Sequence, residues 1–353
     1  MRKDRYSVVG VMSGTSLDGI DLTRVELWKD AHGWHYKIIE ATTLTYPGDM
    51  VDKLRRAIDL DADSLRELDK AYTHYLGRTI AGFLSRFPKD SVDAVCSHGH
   101  TVLHRPDEGI TLQIGNRSEL CEHMDVTVVC DFRPQDVELG GQGAPLVPIG
   151  DRLLFSDYDH CLNLGGFANV SFEQDGIRVA YDLCPVNVVL NSLASSMGES
   201  YDKGGQLAAS GNVDHGLLQE LNALDFYKLE GPKSLGVEWV EAEFWPLLSS
   251  SKLDPLDKLA TVTAHMGRVI GKSLEQARRV LITGGGAYNS HLLDCMRAYT
   301  SAQLVVPEPE LVEFKEALVF ALLGVLRLRQ EVNVLASVTG SRHDHSSGRI
   351  YLR

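Results

Sequence analysis

Apolar positions along this chain come in short runs, and most runs stop at a small or polar residue. Tyr6–Met12 is β-branched and apolar, Ile20–Trp28 alternates imperfectly, and His35–Tyr46 is rich in Ile and Thr, so all three predict strands. Between the first two lies Ser13-Gly14-Thr15-Ser16-Leu17-Asp18-Gly19, a turn-forming cluster that predicts a hairpin or meander. The spacing then becomes helical over Asp49–Asp59 and Ser64–Phe87. Val92–Cys96 and Val126–Cys130 read as short buried strands, the first ending in Ser97-His98-Gly99-His100 and the second at Asp131.

The same pattern restarts in the second half. His160–Leu164 predicts a strand, Gly165-Gly166 a turn, and Val170–Phe172 and Arg178–Tyr181 two more strands, the last ending at Asp182. Helices are predicted over Asn187–Met197, His215–Leu224 and Leu256–Leu281. The strand Val280–Thr283 precedes a triple glycine, and helices follow over Ser290–Thr300 and Glu313–Arg329. Strand, small-residue turn, strand and helices thus begin once near residue 6 and again near residue 160. This coarse repeat predicts an α/β chain of two related lobes with an active-site cleft between them. The expected boundaries put residues 1–133 in an N-terminal lobe, joined by the tail from about 337 to 353, and residues 134–336 in a C-terminal lobe.

A length of 353 residues agrees with two domains at roughly 150 residues each. Lys and Arg total 35 against 48 Asp and Glu, a formal net charge of −13, which argues against a nucleic-acid partner. A small anion held by backbone amides and a few cations remains compatible with that charge. Val8–Met12 is too short for a signal-peptide core, and Ala317–Leu326 is about half of what spans a bilayer, so no membrane role is expected. The 6 cysteines show no C-x-x-C spacing; core thiols in a reducing, cytoplasmic compartment are expected rather than a disulfide framework or zinc site.

Three glycine-rich turns carry the candidate chemistry. In the first, Gly14 to Gly19, bare backbone amides and the hydroxyls of Thr15 and Ser16 suit phosphate oxygens, while Asp18 and Asp21 suit Mg²⁺ directly or through water. Alone, the same residues more readily make a tight turn held by Asx-type hydrogen bonds. The second turn is Gly165-Gly166, ahead of Asn169. The third, Gly284-Gly285-Gly286, precedes Asn289 and a helix N-terminus, where a ring or phosphate could lie against bare backbone. Neither a Rossmann G-x-G-x-x-G nor a G-x-x-x-x-G-K-[ST] loop is present, and no G-x-S-x-G marks a hydrolase serine. Asp182, at a strand end, suits a general base, or equally a turn or helix cap. The segment Asp131–Pro145, with Arg133 among acids and glycines, reads as a binding loop. Lys203, Lys233 and the His343-Asp344-His345 tail read as solvated groups.

Taken together, VMSGTSLDGID, SHGHTVLHRP, TLQIGN, VVCDFRPQDVELGGQGAPLVP, LNLGGFANV, YDKGGQLAASG, PKSLG, ITGGGAYN and VEFKEALVFALLG form one ordered set over about residues 7–340. The chain resembles the anhydro-N-acetylmuramic acid kinases, bacterial enzymes of peptidoglycan recycling in the superfamily of sugar kinases, heat-shock ATPases and actin. The resemblance implies a two-lobed actin-like ATPase (ribonuclease H-like) fold and a cytoplasmic homodimer using ATP and Mg²⁺. It further implies phosphorylation of the sugar 6-oxygen as water opens the 1,6-anhydro ring, giving N-acetylmuramic acid 6-phosphate. The family's base falls on Asp182. Its phosphate hairpin falls on Gly14, Thr15, Ser16, Leu17, Asp18, Gly19, Ile20 and Asp21, and its adenosine turn on Gly284–Gly286. Arg133 is the expected partner of the lactyl carboxylate or of phosphate, and His98, Gln113, Gln142 and Glu316 are expected beside the sugar.

The segment after the base departs from the family pattern: Asp-Thr-Gly-Pro-Gly-Asn is here Asp182-Leu183-Cys184-Pro185-Val186-Asn187. Leu183 and Val186 cannot take glycine-only backbone angles, so a differently shaped loop is expected. His100 and Gln135 are further departures. The alternatives are a kinase of the same fold acting on another amino sugar, and a non-catalytic nucleotide-binding sensor.

Overall fold

A computed structural model describes residues 3–14 and 17–352. The chain forms two units, one of Met1–Leu154 with Phe314–Arg353 and one of Phe155–Glu313.

The first unit is built on a seven-stranded sheet. Its strands are β1 (Arg5–Ser13), β2 (Ile20–Asp30), β3 (Gly33–Leu44), β4 (Ala94–Arg105), β5 (Ile110–Ile114), β6 (Thr127–Cys130) and, from the C-terminal tail, a late edge strand at Arg349–Tyr351. β1, β2 and β3 form an antiparallel meander, while β4 runs parallel to β1 and β6 parallel to β4. Val8, Val9 and Val11 of β1 are fully buried, as a central strand covered on both faces requires. One cover is the helix Pro309–Leu328. Its approach is close enough that a methyl group on Gly10 would strike the Ala317 carbonyl, and one on Gly324 the Cys96 sulfur.

The second unit repeats the plan with β7 (His160–Leu164), β8 (Phe167–Gln174), β9 (Ile177–Pro185), β10 (Arg279–Thr283) and β11 (Gln303–Val305). β7, β8 and β9 are an antiparallel meander, and β10 and β11 follow in parallel. Spatial order is β3-β2-β1-β4-β6 in one unit and β9-β8-β7-β10-β11 in the other. The same three-antiparallel, two-parallel arrangement therefore occurs twice: the repeat predicted two related lobes, and the resemblance implied this ribonuclease H-like plan for them.

The unit boundaries differ from those read in the sequence. They fall at Leu154/Phe155 and Glu313/Phe314 rather than near 133 and 336. Side-chain packing explains the shift. The helix Pro148–Leu154 lies under Val319, where a methyl group on Gly150 would collide, and the buried Lys315 ammonium pairs with Asp151 at 2.7 Å. The helix predicted over Leu256–Leu281 ends at Ser273, because the Asp159 carboxylate accepts the backbone N–H groups of Arg278 and Arg279 at 2.9 Å and starts β10 there. β4 continues to Arg105, well past Cys96, through buried Ser97, His98 and His100. All 6 cysteines are free thiols; Cys96, Cys130, Cys161 and Cys184 are buried, and Cys121 and Cys295 partly so. Among the described residues no helix is long and apolar enough to cross a membrane.

Candidate active site

In the first unit the site grows from the end of β1. Ser13 Oγ lies 2.5 Å from the Tyr46 hydroxyl and 2.8 Å from that of Tyr72, and the two phenols are 2.8 Å apart. Three hydroxyls in a closed triangle use one proton on each edge. The fourth contact, His100 Nδ1 at 3.3 Å from Ser13 Oγ, must then take its proton from the imidazole. His100 is thus a neutral Nδ1–H tautomer, in keeping with burial, which pushes it down to about 4. This cluster roots the hairpin that follows Ser13. Tyr72→Phe removes one edge proton from it and is expected to lower stability by roughly 1–3 kcal/mol, read as a lower urea midpoint.

The hairpin itself is partly described. Thr15 and Ser16, read as phosphate-binding, lie outside the described residues. Leu17 sits at φ 61° with its N–H 3.4 Å from the Gly14 carbonyl. Gly19 is required by packing, since a methyl group there would come within 2.6 Å of the Leu44 carbonyl. Ile20 is fully buried in the core, so only its backbone is available to a ligand. Asp18 is exposed, and Asp21 Oδ1 accepts the Thr43 hydroxyl proton at 2.6 Å.

His98, Arg133 and Glu316 come together. His98 Nδ1 bonds the Gly99 carbonyl at 2.8 Å, so Nδ1 carries the proton and Nε2 accepts from Arg133 Nε at 2.8 Å. Burial and the neighbouring guanidinium hold His98 well below its ordinary value, hence neutral. Arg133 also donates from Nη1 to the Gly143 carbonyl at 2.7 Å. Glu316 keeps solvent-accessible atoms, yet the protein mass around it raises its carboxyl, with Arg133 opposing the rise. Gln113 is buried and donates to Thr111 Oγ1 at 2.9 Å, and among the described residues its enclosed Oε1 has no hydrogen-bond partner. Gln142 is exposed, and its backbone N–H donates to the Thr339 carbonyl at 2.8 Å.

The sequence reading missed Asp136. Its carboxylate is fully buried and accepts from Gly143 N–H at 2.7 Å and Thr339 Oγ1 at 2.8 Å. Gly141 has no room for a side chain against it. Asp136 therefore shapes the loop that presents Arg133. Buried His345, expected to be solvated, completes this cluster with Nε2 3.6 Å from Asp136 Oδ1.

In the second unit, β9 presents Asp182 directly across from the exposed Asn169 of β8. Asp182 is half-buried, and burial raises its carboxyl while the Leu235 N–H, 2.8 Å from Oδ2, partly opposes the rise. Leu183, Cys184 and Val186, the departures from the family pattern, are all buried in the core, and Val186 takes a negative φ of −131° with ψ −95°. The loop docks on the Gly165-Gly166 turn: Val186 N–H donates to the Gly166 carbonyl at 2.8 Å, and Asn187 Nδ2 to the Leu164 carbonyl at 3.2 Å.

The triple glycine has two jobs rather than one. Methyl groups on Gly284 and Gly286 would come within 2.6 Å of Asn163 Oδ1 and 2.8 Å of Leu164 Cβ, so these two glycines serve packing of the two turns. Gly285 meets nothing closer than Asn187 Nδ2 at 3.8 Å and is the open position. Asn289, read as nucleotide-binding, caps the helix Ser290–Arg297 by accepting Leu292 N–H at 2.9 Å. Lys203 is exposed as expected, whereas Lys233 is half-buried and hydrogen-bonded.

A duplicated ribonuclease H-like plan, with glycine turns at strand ends in both units, defines an actin-like ATPase of the sugar-kinase class. Comparison with known proteins narrows this. The family model described as anhydro-N-acetylmuramic acid kinase matches residues 6–353. An anhydro-N-acetylmuramic acid kinase of Pseudomonas syringae pv. syringae (strain B728a) is 35% identical over 372 residues, covering 98% of this chain and 99% of its own length. One of Xanthomonas oryzae pv. oryzae (strain MAFF 311018) is 34% identical over 374 residues, covering 99% and 98%. The chain belongs to the anhydro-N-acetylmuramic acid kinase family and is an ATP-using kinase.

Proposed function

We propose that the chain phosphorylates 1,6-anhydro-N-acetylmuramic acid on its 6-oxygen while water opens the anhydro ring, in bacterial cell-wall recycling. The observation that carries this reading is Asp182: a strand-end carboxylate, half-buried, with a raised proton affinity and one oxygen fixed by the Leu235 amide. Asp182 takes a proton from water as the water oxygen bonds to the anomeric carbon. The bond from that carbon to the 6-oxygen breaks, its electron pair goes to the 6-oxygen, and that oxygen attacks the γ-phosphorus as ADP leaves. No second strong base is needed, because the attacking oxygen is released as an anion.

Arg133 supports recognition of the lactyl carboxylate, with His98 fixing its guanidinium plane and Glu316 beside it. Gln113 Oε1 is suited to accept from a sugar amide or hydroxyl. Gly165, Gly166 and Gly285 suit the nucleotide, and Gly14 to Asp21 its phosphates. Among the described residues no cluster of three or more His, Cys, Asp or Glu could hold a metal unaided. Asp18 and Asp21 offer the hard carboxylate oxygens that Mg²⁺ takes together with phosphate oxygens and water, so the donor set fits. Bound there, Mg²⁺ would neutralise charge developing on the transferred phosphoryl group. The reading includes a homodimer in the cytoplasm, testable by sedimentation and cell fractionation.

The deciding assay supplies Mg-ATP and the anhydro sugar and looks by mass for the ring-opened 6-phosphate. Phosphorylation of N-acetylmuramic acid or glucosamine instead would favour the other amino-sugar kinase. ATP binding without turnover of any sugar would favour a sensor. Since Leu183, Cys184 and Val186 are core residues, the altered loop offers no new side chain to a different sugar.

A further inference from the structure

The segment Gly231–Leu235 runs as a strap beside β9 and touches Asp182 twice through backbone. Asp182 N–H donates to the Lys233 carbonyl at 2.9 Å, and Leu235 N–H donates to Asp182 Oδ2 at 2.8 Å. What holds the strap is less obvious. Gly231, Pro232 and Ser234 are exposed. A cavity of about 1040 Å³ borders Tyr181, Leu229, Gly231 and Lys233, so packing behind the strap is thin. Gly231 lies against the Tyr181 ring so closely that a methyl group would come within 2.6 Å of it.

The anchor is the Lys233 side chain. Its ammonium turns back from the strap and donates to two carbonyls, Phe226 at 3.0 Å and Leu229 at 2.9 Å. Those carbonyls belong to the turn Asp225–Lys228 and the residue that ends it. The same nitrogen stands 4.4 Å from the centre of the Phe226 ring, which is buried. A lysine committed to two backbone oxygens and a ring face is a staple, not a ligand contact.

We infer that Lys233 is a positioning residue for the reaction: by stapling the strap to the Phe226–Leu229 turn it holds the Leu235 amide on the Asp182 carboxylate. This rests on Asp182 being the base. Without the staple the amide drifts and Asp182 loses the donor that favours its ionised form. The carboxyl then binds its proton more tightly, and the oxygen that faces water is less well aimed.

Lys233→Met removes the ammonium while keeping an apolar stem on Phe226. It is expected to lower kcat about tenfold with the KM for ATP unchanged, and to move the acid limb of the kcat/KM profile to higher pH. Lys233→Arg, which can reach the same carbonyls, is expected to restore both. Retained binding of a fluorescent ATP analogue shows that the Met variant is folded. Wild-type kcat and acid limb in the Met variant, beside an inactive Asp182→Asn control, would overturn the inference while leaving the base in place. A lower melting temperature with an unmoved acid limb would reduce Lys233 to a structural role and also overturn it. Turnover surviving in the Asp182→Asn control would instead remove the base reading itself.

Discussion

Asp182→Asn is expected to lose turnover by about a hundredfold to ten-thousandfold while ATP still binds, because in the proposed reaction the amide cannot accept the proton of the attacking water. Asparagine keeps the shape and still offers an oxygen to the Leu235 amide, so the strap stays in place. Burial raises the Asp182 carboxyl in the wild type, so ionising it at neutral pH costs the fold stability. The substitution removes that cost, and the melting temperature of the variant is expected to match or exceed the wild type. The sign for activity is separate. A base must be deprotonated, so wild-type kcat/KM is expected to fall as pH drops through the Asp182 carboxyl, at a pH above the ordinary value of an aspartate. A variant that keeps its turnover, or an acid limb below the ordinary value of an aspartate, would remove Asp182 from the role.

Asp136→Ala is the substitution expected to cost most in stability. The Gly143 N–H and the Thr339 hydroxyl both donate to this fully buried carboxylate; alanine leaves the Gly143 N–H without its acceptor and the Thr339 hydroxyl with only the longer contacts to the Leu335 carbonyl at 3.4 Å and Ser341 Oγ at 3.2 Å. One orphaned amide and one weakened hydroxyl bond in a dry site cost roughly 2 kcal/mol or more, read as a fall in the urea midpoint. The same change frees the loop whose Gly143 carbonyl fixes Arg133, so the KM for an anionic sugar is expected to rise more than that for ATP. An unchanged midpoint would show that the loop is held by other contacts.

The repeat of strand, small-residue turn and strand was visible in the sequence, because each turn is glycine-rich and each flanking run is apolar. The recurrence of one strand order in both units follows from it. Less visible was the continuation of β4 beyond Cys96. Ser97, His98 and His100 are polar yet buried, and hydrophobic spacing cannot register a strand whose buried side chains line a site. The unit boundaries were missed because the helix Pro148–Leu154 and the later part of Pro309–Leu328 belong to the first unit through contacts distant in sequence.

Within the candidate site, the glycine turns, Asp182 and Arg133 stood out by motif and residue type, and Glu316 only through the family resemblance. The groups that hold them were not. Tyr46 and Tyr72 reach Ser13 from separate segments, Asp136 reaches Thr339 across most of the chain, and Lys233 looked like any turn lysine. Supporting groups carry no local signature, since their partners are set by the fold. One motif also carried more meaning than its single reading: two of the three glycines at 284–286 exist to let two turns meet.

The distribution of thiols has a practical consequence. Four of the cysteines are sealed in cores, and the two that are partly accessible, Cys121 and Cys295, fall one in each unit. Burial raises both thiols, so they react slowly at neutral pH and faster in mildly alkaline buffer. The native chain therefore comes with one dye-attachment point per unit. An environment-sensitive dye placed at either thiol would report on the unit that carries it, with no cysteine engineered in.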